Sequence, residues 1–308
     1  MLVSLSFTLR QLEHFDAIAS EGSLTAAAAR CHLSAAALAL SLSELERHLG
    51  QQLFVRRKGR GVTIAPAGAR LLAQARQLLA TADALAADAS QDSAELMGRF
   101  AIGCFSTLSP FFLPGVMDGF RREHPGLDLE FVAEATAPEL QDGLLQGRLD
   151  AAVMYGVDVS TQLEFDPLHE YRPYVIVSER HPLAGKGPIQ LSELAGEPLI
   201  QLDLQPSQEN TEYIFKSMGL PPAVRHSTTN YELARCLVGR GLGYSVLIQR
   251  PASQLTYDGH AVAIIELAGD VPSAVVGLAR PHGAPRTAKY MTLREFLLGS
   301  SNPHGPGG

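Results

Sequence analysis

Four cations near residue 60 are the side chains of this sequence best suited to binding a polyanion. They fall in the run Arg-Arg-Lys-Gly-Arg-Gly, between strand-like segments at 53–55 and 62–64. Glycine allows a tight turn, so the pattern predicts a β-hairpin with the cations at its tip, where they suit contacts with phosphates beside a groove. A solvated surface loop is the alternative for this segment taken alone. The cations are Arg56, Arg57, Lys58 and Arg60.

Sequence patterns that usually carry catalysis are missing. The sequence contains no G-x-S-x-G, no H-E-x-x-H and no P-loop. The glycines at 239–243 follow a predicted helix, so they indicate a helix end and not a dinucleotide loop. The ten histidines show no metal-ligand spacing. Three cysteines far apart, Cys31, Cys104 and Cys236, argue against a disulfide framework or a zinc site. We therefore expect no catalytic residue, no metal and no cofactor.

Three short helical patterns precede the cations. Apolar residues recur at helical spacing over 9–19, and Gly22 ends that helix. Ser23 can cap a second helix and Ser34 a third, which Gly50 ends. Two helices joined by so short a turn are typical of a helix-turn-helix, and the hairpin would be its wing.

Charge separates this head from the rest of the chain. Residues 1–80 carry nine basic and five acidic side chains, an excess of four, whereas the remainder has a net charge of −11. A length of 308 residues allows two or three folding units. No run of about 18 apolar residues occurs, and charged residues interrupt the N-terminus early, so we expect no membrane span and no signal peptide.

The head resembles the LysR-type transcriptional regulators in many motifs of matching order and spacing. The resemblance places the helix at 34–49 in the DNA major groove. The motifs are Leu9-Arg10-Gln11-Leu12-Glu13-His14-Phe15, Glu21-Gly22-Ser23-Leu24-Thr25-Ala26-Ala27-Ala28, Leu45-Glu46, Leu49-Gly50, Leu53-Phe54-Val55-Arg56 and Ala67-Gly68. The residues then expected to contact DNA are Ser23, Thr25, Ser34, Ala35, Ala36, Ser41, Arg56, Arg57, Lys58 and Arg60.

The predicted recognition helix departs from the family pattern. The family often has Gln after the capping Ser and polar residues later, where this chain has Ala35, Ala39 and Leu40. Apolar side chains can touch thymine methyl groups but make no bidentate base contacts. We expect sequence choice to depend on Ser34, on Ser41, on minor-groove contacts of the wing and on DNA deformability.

A long helix is predicted to follow the wing from Pro66. It resembles the dimerisation helix of the family, although Ala65 replaces the usual capping Thr. Spacings of four and three predict a seam against a partner helix, and packing on the chain's own domain is the alternative. The seam residues would be Leu71, Ala75, Leu78, Ala82, Leu85 and Ala89.

Beyond this helix, strand-like and helical segments alternate, which predicts a parallel α/β sheet. The order resembles the two-lobed, periplasmic-binding-protein-like effector domain of the family. We thus predict a multidomain protein: an α-rich winged helix-turn-helix, a long linker helix and a two-lobed α/β domain. The boundaries would be 1–65 for DNA binding, 66–96 for the linker, 97–168 and 271–300 for the first lobe, 169–270 for the second, and 301–308 for a disordered tail.

The resemblance nominates six hydroxyl-bearing residues for the cleft between the lobes. Each would lie near a helix start, where backbone N–H groups and the helix dipole favour a carboxylate. For any one of them, a mere helix cap is the alternative. The residues are Ser106, Thr107, Thr136, Ser207, Thr228 and Thr229.

The predicted function is that of a cytoplasmic DNA-binding regulator controlled by a small carboxylate effector. Its expected partners are double-stranded DNA, the effector, further copies of the chain in a homodimer or homotetramer, and RNA polymerase, with no membrane. The competing classes are a periplasmic-type solute-binding protein and an enzyme on the same two-lobed fold. The basic head and the lack of a signal-peptide pattern oppose both.

Overall fold

The structure, a computed structural model, describes residues 7–56, 62–89, 96–134 and 136–299. The tail predicted at 301–308 lies outside these residues. The N-terminal head contains three helices and an antiparallel hairpin, in the order α1 (Leu9–Glu21), α2 (Leu24–Arg30), α3 (Ala35–Leu49), β1 (Phe54–Arg56) and β2 (Val62–Ile64).

The helices of the head begin and end where local signals place them. The hydroxyls of Ser23 and Ser34 each accept a hydrogen bond from the backbone N–H three residues further on, which caps α2 and α3. Gly22 and Gly50 follow α1 and α3 with φ of +61° and +64°, a conformation that favours glycine. All four predicted positions are confirmed.

One apolar core joins the helices of the head to its hairpin. Phe15 and Ile18 of α1 and Leu38 of α3 are fully buried in it. The ring of Phe54 in β1 packs edge-on against Phe15, with centroids 5.6 Å apart. Burying each such side chain contributes about 2 kcal/mol. Because the hairpin shares the core with α3, its direction relative to α3 is fixed.

The long helix α4 (Pro66–Ala89) begins at the predicted proline and packs partly on the head. Leu72 and Ala75 are buried in the core of the head. Ala75 was expected in the seam between partner helices, and the structure instead places it inside its own chain. Leu78 and Leu85 remain 44% and 72% exposed. Both leucines therefore lie on the exposed face of α4.

The first lobe contains a five-stranded sheet in the order β4-β3-β5-β12-β6, with helices packed against it. Its core is formed by the apolar sides of these strands together with the three helices. The elements are β3 (Gly98–Phe105), α5 (Ser109–Glu123), β4 (Leu127–Glu134), α6 (Ala137–Leu145), β5 (Ala151–Tyr155), β6 (Leu163–Tyr171), β12 (Ala274–Pro281) and α9 (Ala288–Gly299).

The second lobe is built from two small sheets, in the orders β10-β7-β11 and β8-β9. Helices α7 and α8 pack against β8. The elements are β7 (Tyr174–Ser178), a 3-10 turn (Leu191–Leu194), β8 (Leu199–Leu202), α7 (Ser207–Ser217), β9 (Val224–Thr228), α8 (Tyr231–Gly239), β10 (Ser245–Leu247) and β11 (Val262–Glu266).

The prediction of a parallel sheet was wrong for part of each lobe. Strands β4, β3 and β5 are parallel, but β12 runs antiparallel to both β5 and β6. In the second lobe, β7 pairs antiparallel with β10 and β11, and only β8 and β9 are parallel. The chain leaves the first lobe along β6 and returns along β12, so these two strands run in opposite directions. Local alternation of strand and helix does not reveal that return.

Candidate functional site

The head presents α3 in the geometry of a helix-turn-helix. Helices α2 and α3 meet at 101°, within the range of about 90–120° that the motif shows. Within the described residues, no single helix is long and apolar enough to cross a membrane. In that part of the chain, α2 and α3 are the one bent pair that reaches this length and apolarity when the two helices are counted together. Thr25 lies exposed in the first turn of α2.

The outward face of α3 is apolar over its first two turns. Ala35 and Ala36 are exposed, and Leu40 is 63% exposed. The next residue along this face, Ser43, donates its hydroxyl hydrogen bond to the carbonyl of Ala39 at 2.9 Å. The sequence showed Leu40 only as a departure from a pattern. Its position opposite the buried leucines of α3 was the signal that could have identified it as a surface contact.

The two serines expected to read bases are engaged within the head. Ser34 accepts its capping hydrogen bond, and Ser41 Oγ lies 2.7 Å from Nδ1 of His14. Burial lowers the pKa of His14, so its ring is neutral near pH 7. The contact turns the half-buried Ser41 toward α1 rather than toward the outward face of α3.

The hairpin is present, and most of its cationic tip lies outside the described residues. Arg56 is the last residue of β1, and Phe54 pairs with Ile64 in register. Arg57, Lys58 and Arg60 belong to the segment that the structure does not describe. Their contact with DNA therefore stays a prediction.

A small cavity lies between the two lobes. The first lobe contributes Thr107 and Tyr155 to its wall, and α7 and the segment after β10 contribute most of the rest. The volume of the cavity that is accessible to water is about 20 Å³. The residues that line it are Thr107, Tyr155, Leu202, Ser207, Asn210, Thr211, Tyr231, Val246, Leu247, Ile248 and Gln249. None of these lining residues is charged.

Gln249 and Tyr155 form the most deeply buried polar part of this wall. Gln249 is 1% exposed, and among the described residues neither its Oε1 nor its Nε2 has a hydrogen-bond partner. Burial raises the pKa of Tyr155 to about 12, so its phenol is neutral and can donate. Its hydroxyl lies 3.5 Å from Oγ1 of Thr107. No sequence pattern pointed to either residue, because only the closing of two lobes brings them together.

Two of the six nominated hydroxyls, those of Thr107 and Ser207, lie in the wall of the cavity. Thr107 precedes the N-cap of α5, and Ser207 is the first residue of α7. The structure therefore brings a helix start from each lobe to the same cavity. Contact of Thr107 and Ser207 with an effector stays a prediction.

The other four nominated residues lie outside that lining. Thr136 caps α6 and donates to Oε2 of Glu139 at 2.7 Å. Thr228 accepts from the backbone N–H of Asn230, the residue that caps α8, and Thr229 is exposed. Ser106 is half-buried in the turn before α5. Thr136 thus matches the capping alternative, and α8 has a different cap from the one expected.

Comparisons with known proteins agree with this architecture. Residues 9–69 match the family model of the bacterial regulatory helix-turn-helix protein, lysR family, and residues 93–301 match that of the LysR substrate binding domain. The chain belongs to the LysR family. It is a DNA-binding transcriptional regulator and not an enzyme.

Relatives of this LysR-family chain match it over nearly the whole length. The hydrogen peroxide-inducible genes activator of Pectobacterium carotovorum subsp. carotovorum is 28% identical, covering 94% of this chain and 97% of that one. HinK, a LysR family transcriptional regulator from Pseudomonas aeruginosa, is 33% identical, covers 96% and 99%, and has a TM-score of 0.64. A full-length OxyR variant from the same organism is 25% identical, covers 95% and 98%, and has a TM-score of 0.75.

In this LysR-family chain, Arg76 of α4 joins the head to the first lobe. Its Nε is paired with Oδ1 of Asp16 in α1, and its Nη2 donates to Oγ of Ser20 at 3.0 Å. Its Nη1 donates to the carbonyl of Gly147, after α6, at 2.7 Å. The side chains of Arg76 and Asp16 are only 11% and 16% exposed. One guanidinium therefore connects the head, the linker helix and the lobe.

Proposed function

We propose that this LysR-family regulator binds a small carboxylate between its two lobes, and that the bound effector alters its contacts with DNA. The observation that carries the proposal is the uncharged cavity wall to which both lobes contribute. A ligand that touches both lobes favours one closure of the cleft. Differential affinity for two closures is sufficient to shift a regulator between states.

The donors around the cavity support a carboxylate rather than a cation. Helix α7 starts at the lining residue Ser207, and α5 starts two residues after Thr107. Helix starts present free N–H groups and the positive end of the helix dipole. Neutral donors of this kind hold an anion without a buried arginine, whose charge would have to be desolvated.

Substitution of Thr107 by Val is expected to weaken effector binding about tenfold or more. Valine keeps the volume but removes a hydroxyl, and a hydrogen bond to a charged ligand contributes roughly 1.5–3 kcal/mol. Calorimetry with a carboxylate found by thermal-shift screening would measure the change. Thr136→Val is the matched control, because this residue is outside the cavity lining, and it should bind the effector as the wild type does. Equal affinities for all three proteins would contradict the proposed site.

For DNA, we propose contacts from both the helix-turn-helix and the wing. The apolar face of α3 supports readout through Leu40, since the thymine methyl is the apolar group that the major groove offers. The proposed contacts are Leu40 together with Ser23, Thr25, Ser34, Ala35, Ala36, Ser41, Arg56, Arg57, Lys58 and Arg60. Of these, Ser41 has the weakest support, because its hydroxyl is engaged with His14.

Replacing individual thymines by deoxyuridine in a duplex selected by the protein is expected to lower affinity about fourfold at the positions under Leu40. Deoxyuridine lacks only the methyl group, and burying one such group contributes roughly 0.8 kcal/mol. Leu40→Ala should bind the thymine duplex and its deoxyuridine counterpart with equal affinity. Ser43→Ala should still bind the thymine duplex more tightly. Fluorescence anisotropy at fixed salt would measure all three. A wild-type protein that is indifferent to every substitution would remove Leu40 from the contacts.

Peroxide sensing is the second candidate, suggested by the name of the Pectobacterium relative. It would require a thiolate that reacts with peroxide. Burial raises the pKa of Cys104 to about 12, and burial also raises the pKa of Cys31. Sγ of Cys236 lies 3.9 Å from Oε1 of the Glu232 carboxylate, a negatively charged neighbour that does not favour a thiolate. These surroundings favour an effector that binds without covalent chemistry.

The assembly we propose is a dimer formed through α4, with effector domains joining two dimers into a tetramer. The exposed leucines of α4 support the first contact, and the family resemblance supports the second. We also propose that the regulator works in the cytoplasm, where DNA and RNA polymerase are found. The predicted domain boundaries, 1–65, 66–96, 97–168 with 271–300, and 169–270, are part of the same proposal.

A further inference from the structure

Gln249 is held in the cavity wall in a way that presents its amide to the space between the lobes. It follows β10, and its backbone carbonyl accepts hydrogen bonds from the hydroxyls of Tyr174 at 2.6 Å and Tyr231 at 2.5 Å. Two phenols thus fix the backbone at this point. The side chain approaches the Tyr155 phenol, but without a hydrogen bond of normal geometry in the described part of the chain.

A buried amide without partners destabilises the ligand-free protein. Gln249 is 1% exposed, and the cavity beside it has room for about one water molecule, which can meet only part of the hydrogen-bonding capacity of the amide. Burying a donor and an acceptor unsatisfied costs free energy, and natural proteins accept such a cost mainly at functional sites. A methionine of similar length would fill the same space without it.

The two polar atoms of the amide make different demands on a ligand. Nε2 needs an acceptor, and a carboxylate oxygen provides one. Oε1 needs a donor, which a carboxylate does not possess. A hydroxyl or an amine on the carbon next to the carboxylate would supply that donor beside the acceptor.

We infer that the effector is a carboxylate with a hydroxyl or amine on the neighbouring carbon, and that Gln249 recognises this pair of groups. Nε2 donates to the carboxylate, and Oε1 accepts from the neighbouring hydroxyl or amine. Thr107, Ser207 and the start of α7 provide the remaining donors to the carboxylate. The inference rests on the proposed function, because it refines the ligand class of the same cavity.

The first test needs no ligand. Gln249→Met is expected to raise the midpoint of thermal unfolding of the full chain by about 2–4 °C. Gln141→Met is the matched control, because the amide of Gln141 donates to the carbonyl of Asp158 at 3.1 Å and accepts from the N–H of Ser160 at 2.7 Å. The same substitution there should lower the midpoint. A lower midpoint for Gln249→Met would show that its amide has a structural partner, and would overturn the inference.

The second test uses pairs of acids that differ only in one hydroxyl: malate with succinate, and mandelate with phenylacetate. The wild type should bind at least one hydroxylated acid about tenfold or more tightly than its partner, as measured by calorimetry. Gln249→Met should bind the two members of that pair alike. A preference that persists in Gln249→Met would overturn the role of Gln249.

The remaining outcomes separate this inference from the proposed function. If the wild type binds succinate as tightly as malate, or phenylacetate as tightly as mandelate, and shows no preference in either pair, the carboxylate site remains and the inference fails. If it binds none of the four acids, and 2-amino acids also leave its unfolding midpoint unchanged, the proposed carboxylate effector fails with it.

Discussion

Replacing Arg76 with Met is expected to destabilise the head by roughly 3 kcal/mol, because it leaves Asp16 largely buried without its counter-ion. The carbonyl of Gly147 and the hydroxyl of Ser20 lose a donor in the same step. Hydrogen exchange of the full chain would show the effect as faster exchange in α1 and α4, by about 100-fold for amides that exchange through opening of the head.

Arg70 provides the control for this result. It lies on the same helix and is exposed, so Arg70→Met should change exchange in the head by less than about 0.5 kcal/mol. The variant Asp16→Leu with Arg76→Met should recover much of the lost stability, since it removes the unpaired charge. Equal exchange in wild type and Arg76→Met would mean that the ion pair carries no stabilising free energy in solution.

Leu78→Asp is expected to dissociate the regulator at α4 and to reduce its DNA affinity by orders of magnitude. Leu78 is 44% exposed in the single chain, and the proposed seam would bury two copies of the new carboxylate against each other, at a cost of several kcal/mol. A protein that binds two half-sites at once gains affinity from their linkage and loses that gain as a monomer. Sedimentation velocity and binding to a selected duplex would measure both effects.

Gln77→Asp is the control that distinguishes disruption of the seam from a general effect of the added negative charge. It adds the same carboxylate at the neighbouring exposed position, which lies off the seam, and it should keep the native assembly. An unchanged sedimentation coefficient for Leu78→Asp would exclude α4 as the dimer contact. Dissociation of both variants would indicate a general sensitivity to charge rather than a defined seam.

Local signals predicted the head well because its boundaries depend on single residues. A hydroxyl before α3 and glycines after α1 and α3 determine where these helices begin and end, whatever packs against them. The two-lobed α/β domain was predicted from the resemblance to the family as well as from the alternation of strands and helices. Strand directions were missed where they depend on the path of the chain between lobes, as in the antiparallel pair β6 and β12.

Residues of the candidate site could be predicted from the sequence only where a polar side chain lies next to a recognisable helix start. Thr107 and Ser207 lie near helix starts, and the structure brings both to one cavity. Gln249 has no local signal, because its environment is created by phenols from β7 and α8 and by the opposite lobe. Ser41 shows the converse case. Its sequence position fitted a base contact, but His14, 27 residues away, engages its hydroxyl.

The size of the cavity has a consequence for how fast the regulator can respond. For the effector proposed to bind here, the cavity of about 20 Å³ is too small as it stands, so binding would require the lobes to separate further. The association rate is then reduced by the fraction of molecules that are open, and falls below the diffusion limit. Departure requires the same opening, so bound molecules outlast brief falls in effector concentration. The regulator would follow sustained changes in its effector and average over short fluctuations.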